Sequence, residues 1–170
     1  MDHTRLTHLL DGKWVRDEIQ KECVPRVERM VARAGRPPCL AVILAGSDPA
    51  SEIYVRGKVK ACQELGIASE KLTPPASVTT AELLAEIDTL NRREDVDGIL
   101  AQLPLPRQVD TRAVLAAIHP EKDVDGLHPV NVGNLVANRA GLRPCTPSGI
   151  MELLRRYEIP VAGRRAVVVG

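Results

Sequence analysis

Two short apolar runs constrain the fold most: CLAVIL (39–44) and the strand-like DGILAQLPLP (97–106), which prolines end. CLAVIL lies between a Pro pair and the breaker AGSDPAS, and its unbroken hydrophobicity suits a strand buried on both faces rather than one with a wet side. Helical periods separate the two runs. SEIYVRGKVKACQELG (51–66) reads as a helix with Ser51 as N-cap and Gly66 as its stop, and TTAELLAEIDTLNRRE (79–94) as a second one. IASEKLTPP (67–75) lies between them as a weak strand and turn. A βαβαβ alternation of this kind specifies an α/β fold, a three-layer domain with a mostly parallel sheet covered by helices.

The flanks extend the pattern. WVRDEIQKECVPRVERMVARAG (14–35) reads as an amphipathic helix closed by Gly35, with Pro25 expected to kink or divide it. VDTRAVLAAIH (109–119) reads as a helix, PEKDVDGLHPVNVGNLV (120–136) as a long polar loop, and TPSGIMELLRRYEI (146–159) as another helix. GRRAVVVG (163–170) looks like a strand reaching a glycine, as the first strand of a dinucleotide-binding unit does. The division expected is one α/β domain over 1–142, followed over 143–170 by the first helix and strand of a Rossmann-like domain.

One cation in 51–66 falls on the wrong face. With Tyr54 set at zero and about 100° per residue, Leu65, Cys62, Val55, Val59 and Ala61 share an apolar arc, and Lys58 lands inside it near 40°. Arg56, Lys60, Gln63 and Glu64 fall together on the opposite, solvent side. A desolvated ammonium becomes available as an acid or base, whereas a lysine stem lying along apolar surface with its head in water is purely structural. Both readings of Lys58 are open on the wheel alone. Tyr54, one turn earlier, is either its companion or an amphipathic ring at the edge of the core.

Further candidates gather at the carboxyl ends of the strands, where open α/β sheets bind their ligands. GSDPAS joins the first strand to the Tyr54/Lys58 helix, either as a turn or as a place where a ligand approaches closely. Gln102 is an amide in an apolar run and needs a polar partner, either backbone or a group such as Lys58. KDVDG contributes Asp123 and Asp125, each either a loop cap or an acceptor for two parallel N–H groups. His3, His8, His119 and His128 do not form a metal-ligand pattern with the acids, so no metal is expected.

The rest of the composition narrows the function class. With no Phe, one Trp and two Tyr, a stacking platform for nucleic acid is not expected, and a net charge of +1 with interspersed signs points to neither a polyanion nor a membrane surface. No apolar run approaches the roughly 20 residues of a membrane span. The first residues lack the apolar stretch of a signal peptide, and Cys23, Cys39, Cys62 and Cys145 show no close pairing, so a reduced, cytoplasmic protein with structural thiols is expected.

From LLDGK (9–13) to its last residue the chain resembles the bifunctional methylenetetrahydrofolate dehydrogenase/methenyltetrahydrofolate cyclohydrolase family. The resemblance rests on GSDPASEIYVRGKVKACQELGI (46–67), DGILAQLPLP (97–106), PEKDVDGLHPVNVGNL (120–135), RPCTPSGIMELL (143–154) and GRRAVVVG (163–170). It implies oxidation of methylenetetrahydrofolate with NADP and hydrolysis of the methenyl product to formyltetrahydrofolate, a step of one-carbon metabolism. Lys58 matches the catalytic lysine, Gln102 the glutamine that bonds and tunes it, Tyr54 the ring against the folate, and Asp125 the carboxylate that grips the pterin edge. Ser51, Leu103 and Pro104 match substrate-binding positions, and Gly170 the first glycine of the NADP phosphate loop. Ala101 stands where Val is usual and Leu127 where Phe is common; neither change removes a chemical group.

The resemblance further implies a homodimer for the intact protein. Because the family continues past Gly170 into most of its NADP-binding lobe, it also implies no dehydrogenase activity from these residues alone. Two other readings are weighed beside it. A reductase of the Tyr-x-x-x-Lys type needs a glycine-rich loop after the first strand, which AGSDPAS is not. A non-catalytic folate-binding module would bind folate without hydrolysing the methenyl form.

Overall fold

In the computed structural model, which describes residues 9–169, the elements follow in the order α1 (Gly12–Ala34), β1 (Cys39–Ile43), α2 (Pro49–Glu64), β2 (Ala68–Leu72), α3 (Thr80–Arg92), β3 (Gly98–Ala101), α4 (Thr111–Ala117), α5 (Pro129–Val136) and α6 (Cys145–Arg156). The strands form one parallel sheet in the order β2-β1-β3. β1 is thus the central strand, which its unbroken apolar run requires.

Pleating divides β1 between two cores. Ala41, Ile43 and Ala45, joined by Ile99 and Ala101 of β3, face Leu83, Ile87 and Leu90 of α3, Val114 of α4 and Ile118 at its end. Val42, Leu44 and Leu100 face the other way, onto Val55 of α2. Helices therefore cover both sides of the sheet, giving the three layers. A capping box starts α3: Thr79 and Glu82 each bond the other's backbone N–H, satisfying two of the donors that a helix start leaves open.

α2 starts one turn earlier than its sequence suggests. The N-cap is Asp48, whose carboxylate accepts from Ser51 N, and Pro49 fills the first helical position, where no N–H is needed. Ser51 lies inside the helix and is buried at 2% exposure. α1 runs through Pro25 without division. The carbonyl that Pro25 leaves unpaired belongs to Lys21 on the exposed face, where water can serve it.

The segment read as a polar loop over 120–136 is half helix. Pro129 opens α5, and His128 caps it through Nδ1, which accepts from Val130 N at 3.0 Å, while its Nε2 donates to Ala116 O at 3.1 Å. A histidine cap and the poor helix formers Asn131, Gly133 and Asn134 hide that helix from a reading by periodicity.

α6 docks on α1. The Trp14 and Tyr157 rings meet edge to face at 5.5 Å, and the Arg156 guanidinium bonds both oxygens of Glu22 at 2.9 Å. The strand expected over 163–170 is not formed among the described residues. Val167, Val168 and Val169 are 86%, 95% and 92% exposed, and a strand without a pairing neighbour leaves its backbone groups to water.

Candidate active site at the carboxyl edge of the sheet

The site is built where β1 and β3 end. Gln102 N donates to Ile43 O at 2.9 Å, one step beyond the last paired residues of β3, so the sheet ladder itself aims the Gln102 side chain. Its Oε1 accepts from Lys58 Nζ at 3.2 Å, and its Nε2 donates to Leu103 O at 2.8 Å. The cation on the wrong face of α2 is therefore half-buried and bonded across to β3, not extended to solvent.

Leu103 O also accepts from Ser51 Oγ at 3.4 Å. The Leu103–Pro104 peptide is cis, and both residues are exposed beside the lysine's partner. Ser51 contributes through this carbonyl, its own hydroxyl being buried. Tyr54 stands one turn before Lys58 with 67% of its surface exposed, too open to be a ring sealing the core and well placed to offer a face.

Asp125 completes the group from the loop after α4. Burial pushes its carboxyl above the ordinary value; the Lys58 ammonium opposes that shift, and the Asp123 carboxylate adds to it. Among the described residues Asp125 makes no hydrogen bond, so both oxygens are available. Asp123, two positions back, is 2% exposed and takes the structural part: its Oδ2 accepts from His128 N at 2.8 Å and from Asn131 Nδ2 at 2.9 Å.

Glycine lets this loop approach. A Cβ on Gly98 would meet Val124 Cγ1 at 2.5 Å, so β3 must open with glycine for the 123–125 segment to lie against it. Gly126, at φ +66°, turns the chain away beneath the backbone of Arg143 and Pro144.

Cys145, expected to be a structural thiol, lies at this edge. Its Sγ lies 3.1 Å from Val124 O, and burial first, then the Asp125 charge, pushes the thiol up. Nothing in its spacing from the other cysteines signals that position. Gly170 falls outside the described residues, as do His3 and His8. Among the described residues no group of three His, Cys, Asp or Glu side chains could hold a metal ion.

The described residues do not fit a dinucleotide. The glycine-bearing turn from β1 into α2, Gly46-Ser47-Asp48, ends in a carboxylate that already caps α2, so an anion occupies the place where a phosphate would need N–H donors. Contact with Ser51 holds the Asp48 carboxyl below the ordinary range, which keeps that charge in place. The same feature removes the Tyr-x-x-x-Lys reductase reading.

A half-buried lysine bonded to an amide, an accepting carboxylate and an exposed aromatic ring, all at the carboxyl edge of a parallel sheet, make a candidate α/β enzyme-type site. Residues 10–125 match the family model for the tetrahydrofolate dehydrogenase/cyclohydrolase catalytic domain, and the chain belongs to that family. The bifunctional protein FolD of Solibacter usitatus is 60% identical over 165 residues, 97% of this chain and 54% of its own length. A methylenetetrahydrofolate dehydrogenase from the silkworm Bombyx mori superposes with a TM-score of 0.88 at 40% identity, over 91% of this chain and 53% of that one. A dehydrogenase-cyclohydrolase from Trypanosoma brucei, solved with NADP and an inhibitor, gives 0.87 at 41% identity over 92% and 54%. The chain thus spans about half the length of these relatives.

Proposed function

We propose that this chain carries the folate-binding, catalytic half of a bifunctional methylenetetrahydrofolate dehydrogenase/methenyltetrahydrofolate cyclohydrolase, with residues 1–142 as the catalytic domain. The observation that carries the reading is the Lys58–Gln102 hydrogen bond with Asp125 in electrostatic reach of the same ammonium. A pterin edge presents an exocyclic amine beside a ring N–H, two parallel donors that suit the available oxygens of Asp125. The exposed Tyr54 ring stacks on the folate, and Leu103 and Pro104 form the wall, their position fixed by Ser51 Oγ and Gln102 Nε2.

In the hydrolytic step water adds to the methenyl carbon of the cationic substrate. Lys58 moves protons: the added oxygen loses both of its protons as the adduct collapses to the formyl group, one is delivered to the folate nitrogen as its bond to that carbon breaks, and the other is released to solvent. Gln102 holds the amine in place during these transfers. NADP would supply the hydride acceptor for oxidation of the methylene form, and residues other than those described would have to hold it. The reading places the protein in one-carbon metabolism in the cytoplasm, serving purine, methionine and histidine biosynthesis, and as a homodimer.

Lys58→Met in the full chain tests the assignment. Decay of methenyltetrahydrofolate absorbance at the enzyme-dependent rate should be abolished while the far-UV circular dichroism stays that of the parent. Retained hydrolysis would sink the role given to Lys58.

A further inference from the structure

Asp123 is a buried carboxylate that the reaction above does not use. It sits on a strand-like step, bridged in parallel to Ile99 of β3, and Ile99 N donates to Lys122 O at 2.7 Å just before it. Its Oδ2 takes two donors from the start of α5, His128 N and Asn131 Nδ2. Asn131 is itself 3% exposed, and its amide also donates to Pro120 O at 2.8 Å. The turn between closes with Gly126 N donating to Asp123 O at 3.1 Å. Asp125 lies within that turn.

We propose that Asp123 is a positioning residue for ligand binding: clamped to β3 behind and α5 ahead, it fixes the turn that presents Asp125 and places a second negative charge next to it. The inference rests on the assignment of Asp125 to the pterin edge. An all-apolar anchor could hold the turn equally well, so the charge has a separate consequence. The groups facing Asp125 are Lys58 from α2, Asp123 from its own loop and Cys145 from α6. Lys122 does not neutralise the pair, because its ammonium is spent on the carbonyls of Leu90, Asn91 and Arg93. Burial is the first cause that keeps Asp125 protonated to a higher pH; Asp123 adds to it, against Lys58, and so raises the acid limit of folate capture.

Calorimetric binding of tetrahydrofolate across acid to neutral pH, in the full chain, separates the two effects. Asp123→Asn keeps an oxygen able to accept both N–H groups but removes the charge, so the acid midpoint of binding should move to lower pH. Asn131→Ala keeps the charge and removes a donor, so binding should weaken by roughly tenfold, the scale of one lost hydrogen bond to a charged group, with the midpoint in place. An unmoved midpoint in the first variant, or unchanged affinity in the second, overturns the inference; if Asp123→Asn does not fold, the second variant decides. Asp125→Asn reports on the underlying assignment: loss of binding upholds it, and parental affinity overturns it together with the inference.

Discussion

Gly126→Ala should be among the most damaging single-methyl additions available in this chain. The residue has φ +66°, where an L side chain costs about 1–2 kcal/mol. Its new Cβ would also lie 2.6 Å from Pro144 N and 2.7 Å from Arg143 O, backbone atoms that cannot rotate aside as a side chain can. Overpacking of that kind costs about 1–3 kcal/mol more, for a combined loss of about 2–5 kcal/mol. Against a total stability on the order of 5–15 kcal/mol, such a loss would shift a urea unfolding curve visibly. The assay is urea denaturation of the full chain followed by circular dichroism, with Gly133→Ala as control. Gly133 lies inside α5 with nothing within 4 Å of an added Cβ, so that change should stabilise by about 0.5–1 kcal/mol. A loss below about 1 kcal/mol at Gly126 would refute the claim that the Asp125 turn and the 143–144 backbone are locked together.

Two further outcomes follow from the charges. Burial holds the Asp125 carboxyl above the ordinary 3.8, so the folded chain keeps that proton longer than the unfolded one and stability declines as pH rises through this window. Asp125→Asn should therefore melt higher than the parent at neutral pH and lose that advantage in acid; a lower melting temperature at neutral pH would contradict the reasoning. Asp97 behaves oppositely: the Arg36 guanidinium, with help from Cys39 N–H, holds its carboxyl below the usual range, so its contribution is present above the unfolded value and is lost as pH falls through the folded one. The stability gap between parent and Asp97→Asn should narrow as the medium is acidified below the ordinary carboxylate range, and a gap that does not narrow would refute it.

Lys58 was legible because a helix wheel needs only the period, and period is what a sequence displays best. Gln102 was legible for a similar reason, as an amide in a run that otherwise reads as buried strand. The division of labour between Asp123 and Asp125 was not, because spacing by two in a loop does not say which carboxylate is enclosed. Asn131, which decides it, sits in a helix whose cap is a histidine and whose interior is rich in Asn and Gly. The start of α2 was misplaced because Ser51 and Asp48 are both good caps, and only the Pro at the first helical position selects Asp48. The valines of 167–169 show the reverse error: an apolar run states that a segment can be buried, but a neighbour must exist to bury it.

The orientation of the Gln102 amide is dictated at one end and used at the other. Leu103 O can only accept, so the amide nitrogen must face it, and the oxygen is left pointing at Lys58. A lysine that surrenders one of its three protons still has N–H to offer that oxygen. The contact therefore survives the loss of a proton, and the amine is tethered alike in both charge states. What keeps the lysine amine in register is a backbone carbonyl that never touches it.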